Sequence, residues 1–556
     1  MIVVETHRQI PRRRTARTVI AITAIGVVMS AFASVGSAST PTRARQQKSG
    51  GELTFGVENE TETANGFCLP RSQLAISGIQ EVAAVYDTLT VPNSKGQYVP
   101  YLAKSVTPNA DFTLWTIKLR PGIKFHDGTP LDAAAVKLNL DTYGGAPGAP
   151  QAAPLFTSIN KPYQASVEVV DPLTVVVHMK EPMPQYMANL YGVGRIGMVA
   201  PAQLNAGADC ATKMIGTGPF VCKPGCWRPG ESMTLEKNPD YWQKGYPKLD
   251  KITFTPVPEQ SQRLTELRGG QLDIVHLDNG PQILQLDKLR SDFNVLVQQP
   301  GLREIRYYFV NSKAPPFNDP DARLALAYAI DPDQVNQVIN KGVFQLADGI
   351  MDSRSPGYVA NAGRPHYNLK KAQELVNKVK AKNGGSFSIR ILADTSDTSN
   401  VKESELVQQQ LKKAGIDSQL PPSANQASFI NDAVAGNFGI FLWRNLHGGA
   451  TKDIDPDVLS WFLKDSLVNF GHINDPTLEQ ELDAARGASD LSTIKKDYQA
   501  VNKTISKNVY LLPMWYVDWT IGSAKNVTIN FPNLPDGGGK PLFVYGRVPV
   551  LGIVKK

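Results

Sequence analysis

The sequence predicts an α/β protein built as two lobes, and three observations carry that expectation. The chain has 556 residues, 42% hydrophobic and 20% charged, a globular composition and too long for a single core. Residues 368–442 read as helices alternating with strands, the pattern of an α/β layer. Finally, a short alternating strand, Gly51-Glu52-Leu53-Thr54-Phe55-Gly56-Val57, opens the body of the chain, and a Trp/Tyr-rich strand over residues 510–523 is expected to come back beside it. Both ends of the body then belong to one lobe.

The first 50 residues read as targeting sequence. Arg12-Arg13-Arg14 and Arg17 precede an apolar run over residues 19–35 and the small residues Gly36-Ser37-Ala38, which together predict a cleaved export signal over 1–38. A retained N-terminal anchor is the alternative, because the run approaches the shortest membrane span. Residues 39–50 form a flexible leader. No cysteine stands at the end of the run to carry a lipid, so the mature protein is expected in the periplasm or at the outer face of the cell membrane. The formal charge is +7, but residues 1–38 hold five Arg against one Glu, which leaves 53 basic and 50 acidic residues. That balance excludes a nucleic-acid partner.

An exported chain with four cysteines points to disulfides, with three pairings open. Cys222-Lys223-Pro224-Gly225-Cys226 contains a Pro-Gly turn able to bring its sulfurs together, which leaves Cys68 for Cys210. The C-x₃-C spacing is not that of thiol redox enzymes and no His stands nearby. Neither metal nor cofactor is expected.

Further along, residues 112–119 alternate with Trp115, Ile117 and Leu119 on one face. They lead into Leu119-Arg120-Pro121-Gly122-Ile123-Lys124-Phe125-His126-Asp127-Gly128-Thr129-Pro130. Thr129 is placed to cap a helix with Pro130 at its first position, running to about Tyr143. His126-Asp127 reads as a structural turn, because no nucleophile accompanies it. Residues 167–179 form a hairpin. Gly192-Val193-Gly194-Arg195-Ile196-Gly197 matches the dinucleotide fingerprint in letters, but Pro201 prevents the helix that the motif requires.

Residues 216–273 begin Gly216-Thr217-Gly218-Pro219-Phe220, pass Asn238-Pro239-Asp240-Tyr241-Trp242 and close on Gly269-Gly270-Gln271-Leu272-Asp273, a run of fixed turns with buried aromatics. A third block starts at Tyr307-Tyr308-Phe309-Val310-Asn311 and continues through Pro315-Pro316-Phe317 to Asp319-Pro320-Asp321-Ala322-Arg323. There Asp319 and Asp331 each cap a helix with Pro at its first position. These three blocks, in this order, resemble the extracytoplasmic solute-binding proteins of the dipeptide/oligopeptide type (family 5), the capture subunits of ABC importers.

The resemblance implies a two-lobed periplasmic-binding-protein-like fold (class II, cluster C type). The first lobe would span 51–305, with an extra subdomain at about 90–210, the second 306–509, and residues 510–556 would return to the first. Crossovers near 300–306 and 508–514 would join the lobes. It further implies a monomer that closes on a peptide or other small-molecule solute and presents it to an ABC permease and ATPase complex, without catalysis.

In an α/β lobe, ligands lie off the carboxyl ends of the strands. The helix at 368–380, the strand at 387–392, the helix at about 403–413 and the strand at 438–442 therefore select two loops. They supply Asp394, Thr395, Asp397 and Thr398, and Trp443, Arg444 and Asn445, as ligand contacts. The aromatic faces of Trp443, Tyr86 and Tyr308 would stack on or enclose the solute. Peptide-binding members of the family place an Asp in a W-x-x-D arrangement after the second strand. Here Leu446 takes that position, and Asp453 and Asp455 follow only after Gly448-Gly449. Dipeptide binders also carry an Arg in the earlier loop, which is absent here, so Arg444 is the candidate for a ligand carboxylate. A sensor that shows its solute to a membrane receptor is the rival within binding proteins. A secreted hydrolase is the rival outside them, and the seven His provide no activated nucleophile for it.

Overall fold

The computed structural model describes residues 50–59, 67–70, 73, 75–150, 161–423, 426–447, 460–543 and 545–556. The expected export signal and, except for Gly50, the leader, and also Gly448, Gly449, Asp453 and Asp455, lie outside the described residues.

Two large sheets form the framework. The eight-stranded one is centred on Glu52–Val57, which runs parallel to Lys251–Pro256 on one side and to Ile274–Leu277 on the other. Leu53, Phe55 and Val57 are buried on one side of this strand, as period-two alternation in a covered sheet demands. Ser232–Lys237 extends the sheet antiparallel and carries the short strands Phe220–Val221 and Trp227–Arg228. At the other end Thr520–Ala524 lies between Ile274–Leu277 and Phe293–Val297.

The second sheet runs Asp417–Gln419, Ser388–Leu392, Ile440–His447, Glu304–Val310, Leu511–Val517. Its first three strands are parallel, and Glu304–Val310 is antiparallel to both neighbours and buried throughout. Helices Pro320–Ala329, Leu369–Lys382 and Thr398–Ala414 cover one face, packing Ala322, Leu326, Val376 and Leu411 with Tyr308, Ile391 and Leu442. The opposite face is an aromatic layer in which Phe309, Phe441 and Trp443 meet Phe429, Trp461 and Phe470. A third, antiparallel sheet of four strands, Ala103–Pro108, Leu114–Leu119, Thr174–Met179 and Gln164–Asp171, falls within residues 90–210.

The chain passes between the large sheets at 298–303 and again at 518–519. The second passage is later than the 508–514 read from the sequence. Leu511–Val517 stays paired with Glu304–Val310 as an edge strand, and Pro513 is tolerated beside a bulge between Arg306 and Tyr307.

Two helix starts also differ from expectation. The first begins at Ala133, with Asp132 as its cap, because Asp127 Oδ1 accepts from both the amide and the hydroxyl of Thr129 and holds that segment in a turn. The other begins at Thr398 instead of about Glu403, because Asp397 accepts from Ser399 N at 2.7 Å and caps it.

The His126-Asp127 turn is structural and ties two sequence blocks together. Gly216 N donates to His126 Nδ1 (3.3 Å), so Nε2 carries the proton and donates to the Gly218 carbonyl (2.9 Å). Burial brings the imidazole pKa down to about 4, and the ring is neutral. A Cβ at Gly218 would lie 2.5 Å from the Val85 carbonyl carbon, so the Gly-Thr-Gly loop can seat against the end of helix Ile76–Val85 only without side chains.

Candidate functional site

Four parallel strands end toward a common seam. Glu58 follows Glu52–Val57, Asp278 follows Ile274–Leu277, residues 394–397 follow Ser388–Leu392, and Arg444 lies in the second half of Ile440–His447. Hydrogen bonds cross the seam from one sheet's loops to the other's. Asn59 Nδ2 donates to Asp394 Oδ2 at 3.1 Å, and Glu259 Oε2 accepts from Thr398 N at 3.2 Å and from its hydroxyl at 2.7 Å. Gln260 Nε2 donates to Asp278 at 2.5 Å and reaches Asp397 Oδ2 at 3.5 Å. The two sheets are thereby held in a closed arrangement.

Inside the seam lies a small polar cavity, bordered by Asp278, Asn279, Arg306, Asn340, Asn400 and Arg444 among others. Its charges are paired across it. Arg306 donates to Glu403 Oε2 through Nε (3.0 Å) and Nη2 (2.8 Å) and to Asn400 Oδ1 (2.5 Å). Arg444 pairs with Glu58 and, at 3.3 Å, with Asp278, while its guanidinium lies 4.9 Å over the Trp519 ring. Trp519 in turn donates Nε1–H to Glu304 at 2.8 Å.

Burial sets the electrostatics. It raises the carboxyls of Asp278 and Glu403 against the pull of Arg306, pushes Glu304 up to about 8, and brings Arg444 down to about 10. Among the described residues, four buried polar atoms at the cavity are left without protein partners: Arg444 Nε, Asn279 Oδ1, Asn340 Nδ2 and Glu403 Oε1. They offer two donors and two acceptors to whatever enters.

The residues selected from the sequence separate into groups. Asp394, Thr395, Asp397, Thr398 and Arg444 stand at the seam, where Thr395 exchanges hydrogen bonds with Ser423 and Asp394 accepts from Ser396. Arg444 is held by two carboxylates here and is not presented to an anion. Trp443 lies one residue away on the other side of its strand, stacked 5.7 Å from Phe441 and 5.0 Å from Phe429 in the aromatic layer. Tyr308 is corrected to a core residue: it lies under the helices of the second sheet with no exposed surface. Tyr86 also lies away from the seam, donating its hydroxyl to Gln203 at 3.0 Å and lining a different cavity. Asn445 is in the strand, and its side chain lies outside the described residues.

Sequence reasoning missed Glu58, Asp278, Gln260, Arg306, Glu403 and Trp519. One signal was available. Glu304 and Arg306 alternate with apolar residues in a strand that is otherwise a core sequence, and buried charges of this kind need partners.

Two α/β bodies whose strand ends meet around a polar cavity, with the described residues crossing between them at 298–303 and 518–519, make up the architecture of a solute-binding protein. Residues 97–467 match the family model of bacterial extracellular solute-binding proteins, family 5 (middle region), and the chain belongs to that family. It is 28% identical over 444 residues to the glutathione-binding protein GsiB of Escherichia coli strain K12, covering 79% of this chain and 84% of GsiB. By fold it is similar to the periplasmic binding protein AgaA of A. tumefaciens R10 in complex with agropinic acid (TM-score 0.79, 24% identity, 91% of this chain and 99% of AgaA). It is similar also to DppA of Helicobacter pylori in complex with the peptide STSA (TM-score 0.77, 23% identity, 92% and 99%). The protein is thus the solute-capturing component of an ABC import system and works outside the cytoplasm. Its family and relatives are binding proteins and not enzymes.

Proposed function

We propose that the protein captures a small zwitterionic solute derived from amino acids, such as a short peptide or a modified peptide, in the seam between its sheets. It releases that solute unchanged to an ABC permease and ATPase complex, working as a monomer after removal of residues 1–38. The observation that carries this reading is the cavity between the sheets with charges of both signs and four unpartnered polar atoms. A ligand bearing an ammonium and a carboxylate satisfies them, whereas an apolar ligand would leave them without hydrogen bonds at about 1–3 kcal/mol each. The ligands of the relatives agree: glutathione for GsiB, agropinic acid for AgaA, a peptide for DppA.

In this arrangement Arg444 occupies the acidic pair Glu58 and Asp278. The ligand's ammonium takes over those carboxylates and frees the guanidinium for the ligand's carboxylate, a bidentate match. Asp394, Thr395, Asp397 and Thr398 hold the facing loop in register and complete the rim.

The test is thermal unfolding and calorimetric titration with reduced glutathione, agropinic acid and the tetrapeptide Ser-Thr-Ser-Ala. At about 100-fold excess over Kd a true ligand adds about 2.7 kcal/mol of stability, several degrees in Tm. Arg444→Ala is expected to weaken that ligand by about tenfold or more. If none of the three compounds shifts Tm at millimolar concentration, the assignment of a zwitterionic solute is wrong.

A further inference from the structure

A second cavity lies wholly within residues 83–101, 191–194, 219–243 and 532–551, and shares no lining residue with the seam. Its walls are tyrosines 86, 101, 191 and 241 with proline and aliphatic side chains from the C-terminal segment.

Among the described residues, two charged groups stand in it without counter-ions. Asp87 is buried, and its carboxylate accepts only from neutral donors, Trp242 Nε1 at 2.9 Å and Tyr241 hydroxyl at 3.4 Å. Those two bonds leave lone pairs unused. Arg547 lies 5.1 Å over the Tyr191 ring and donates Nη1–H to the Val193 carbonyl at 3.4 Å. Among the described residues no carboxylate pairs with it. A side chain at Gly194 would strike its guanidinium, so the glycine of the dinucleotide-like motif serves to admit Arg547. Tyr101 stands between, bonded to Tyr241 (3.0 Å) and Gln243 (2.6 Å) and within electrostatic reach of both charges. An unpaired buried ion is costly, and an aromatic cage with one carboxylate is a favourable seat for an ammonium.

We infer that this cavity is a second ligand site, distinct from the seam, that takes a small zwitterion with its ammonium on Asp87 among the tyrosines and its carboxylate on Arg547.

The probe is 5-aminopentanoate, whose charges are well separated, with pentylamine and pentanoate as single-charge controls. Binding to the full protein is followed by ligand-observed NMR, with nuclear Overhauser effects to selectively labelled tyrosine rings. The zwitterion is expected to bind about tenfold more tightly than either control, and Asp87→Asn and Arg547→Gln are each expected to weaken it about tenfold. Contacts from the probe's methylenes to tyrosine rings are expected in the unmodified protein, whatever the folding of the variants. The inference is overturned by absence of those contacts, by equal binding of a control, or by folded variants that retain full affinity.

Discussion

At the scale of single residues, the charges that the fold buries make its stability depend on pH in a direction opposite to the usual acid denaturation. Burial pushes Asp87 up to about 7, while Trp242 and Tyr241 pull weakly the other way. In the unfolded chain the same carboxyl ionises near 3.9. Between those values the folded form binds more protons, so stability falls as pH rises from about 4 to about 7 and is level above. Asp87→Asn has no proton to lose and can keep the bond from Trp242. The difference in Tm between variant and wild type should therefore grow from pH 5 to pH 7.5, corresponding to a few kcal/mol at most. A difference that is flat or shrinks over that interval would show that Asp87 is ionised throughout. The same sign applies to Glu304, pushed up to about 8 by burial beside Trp519.

At the scale of elements, the two disulfides close loops of very different length. Cys68 pairs with Cys210 across 142 residues, with Cα atoms 4.6 Å apart, whereas Cys222 pairs with Cys226 across 4 residues at 5.4 Å. A crosslink stabilises mainly by restricting the unfolded chain, and the restriction grows with the logarithm of loop length. Replacing Cys68 and Cys210 by Ser is expected to cost about 3–5 kcal/mol, and replacing Cys222 and Cys226 clearly less. Denaturant unfolding of the two double variants measures both. Equal losses would mean that the short bridge does more than close a turn, for instance by seating Trp227 against Phe67, whose rings meet edge-on at 4.9 Å.

For the whole molecule, closure of one sheet's loops onto the other's must be reversible if a solute is to enter. Among the described residues the chain crosses at 298–303 and 518–519, and Trp519 in the second crossing lies under Arg444 and bonds Glu304. The ion pairs of Arg444 thus bear directly on the crossing segment, where a hinge motion of the lobes would have to turn. Small-angle scattering should show a smaller radius of gyration with saturating ligand than without, and Arg444→Ala should shift the empty protein toward the open form. Superimposable profiles for empty and loaded protein would rule out capture by closure.

The sequence alone determined what depends on neighbours along the chain: alternating strands such as Glu52–Val57, the caps at Asp319 and Asp331, the turn at His126-Asp127, and the three motif blocks that mark the family. It also selected the carboxyl ends of two strands, whose Asp394, Asp397 and Arg444 stand at the seam. Only the tertiary structure decided which residues face them, because Glu58 and Asp278 reach Arg444 from the other sheet, and Arg306 reaches Glu403 from a strand to a helix, across about 100 to nearly 400 positions of chain. It also moved Tyr308 and Tyr86 away from the seam. In a strand buried on both faces, hydrophobic pattern does not say which side meets the helices and which the cavity, and that choice is made by the layers packed against it.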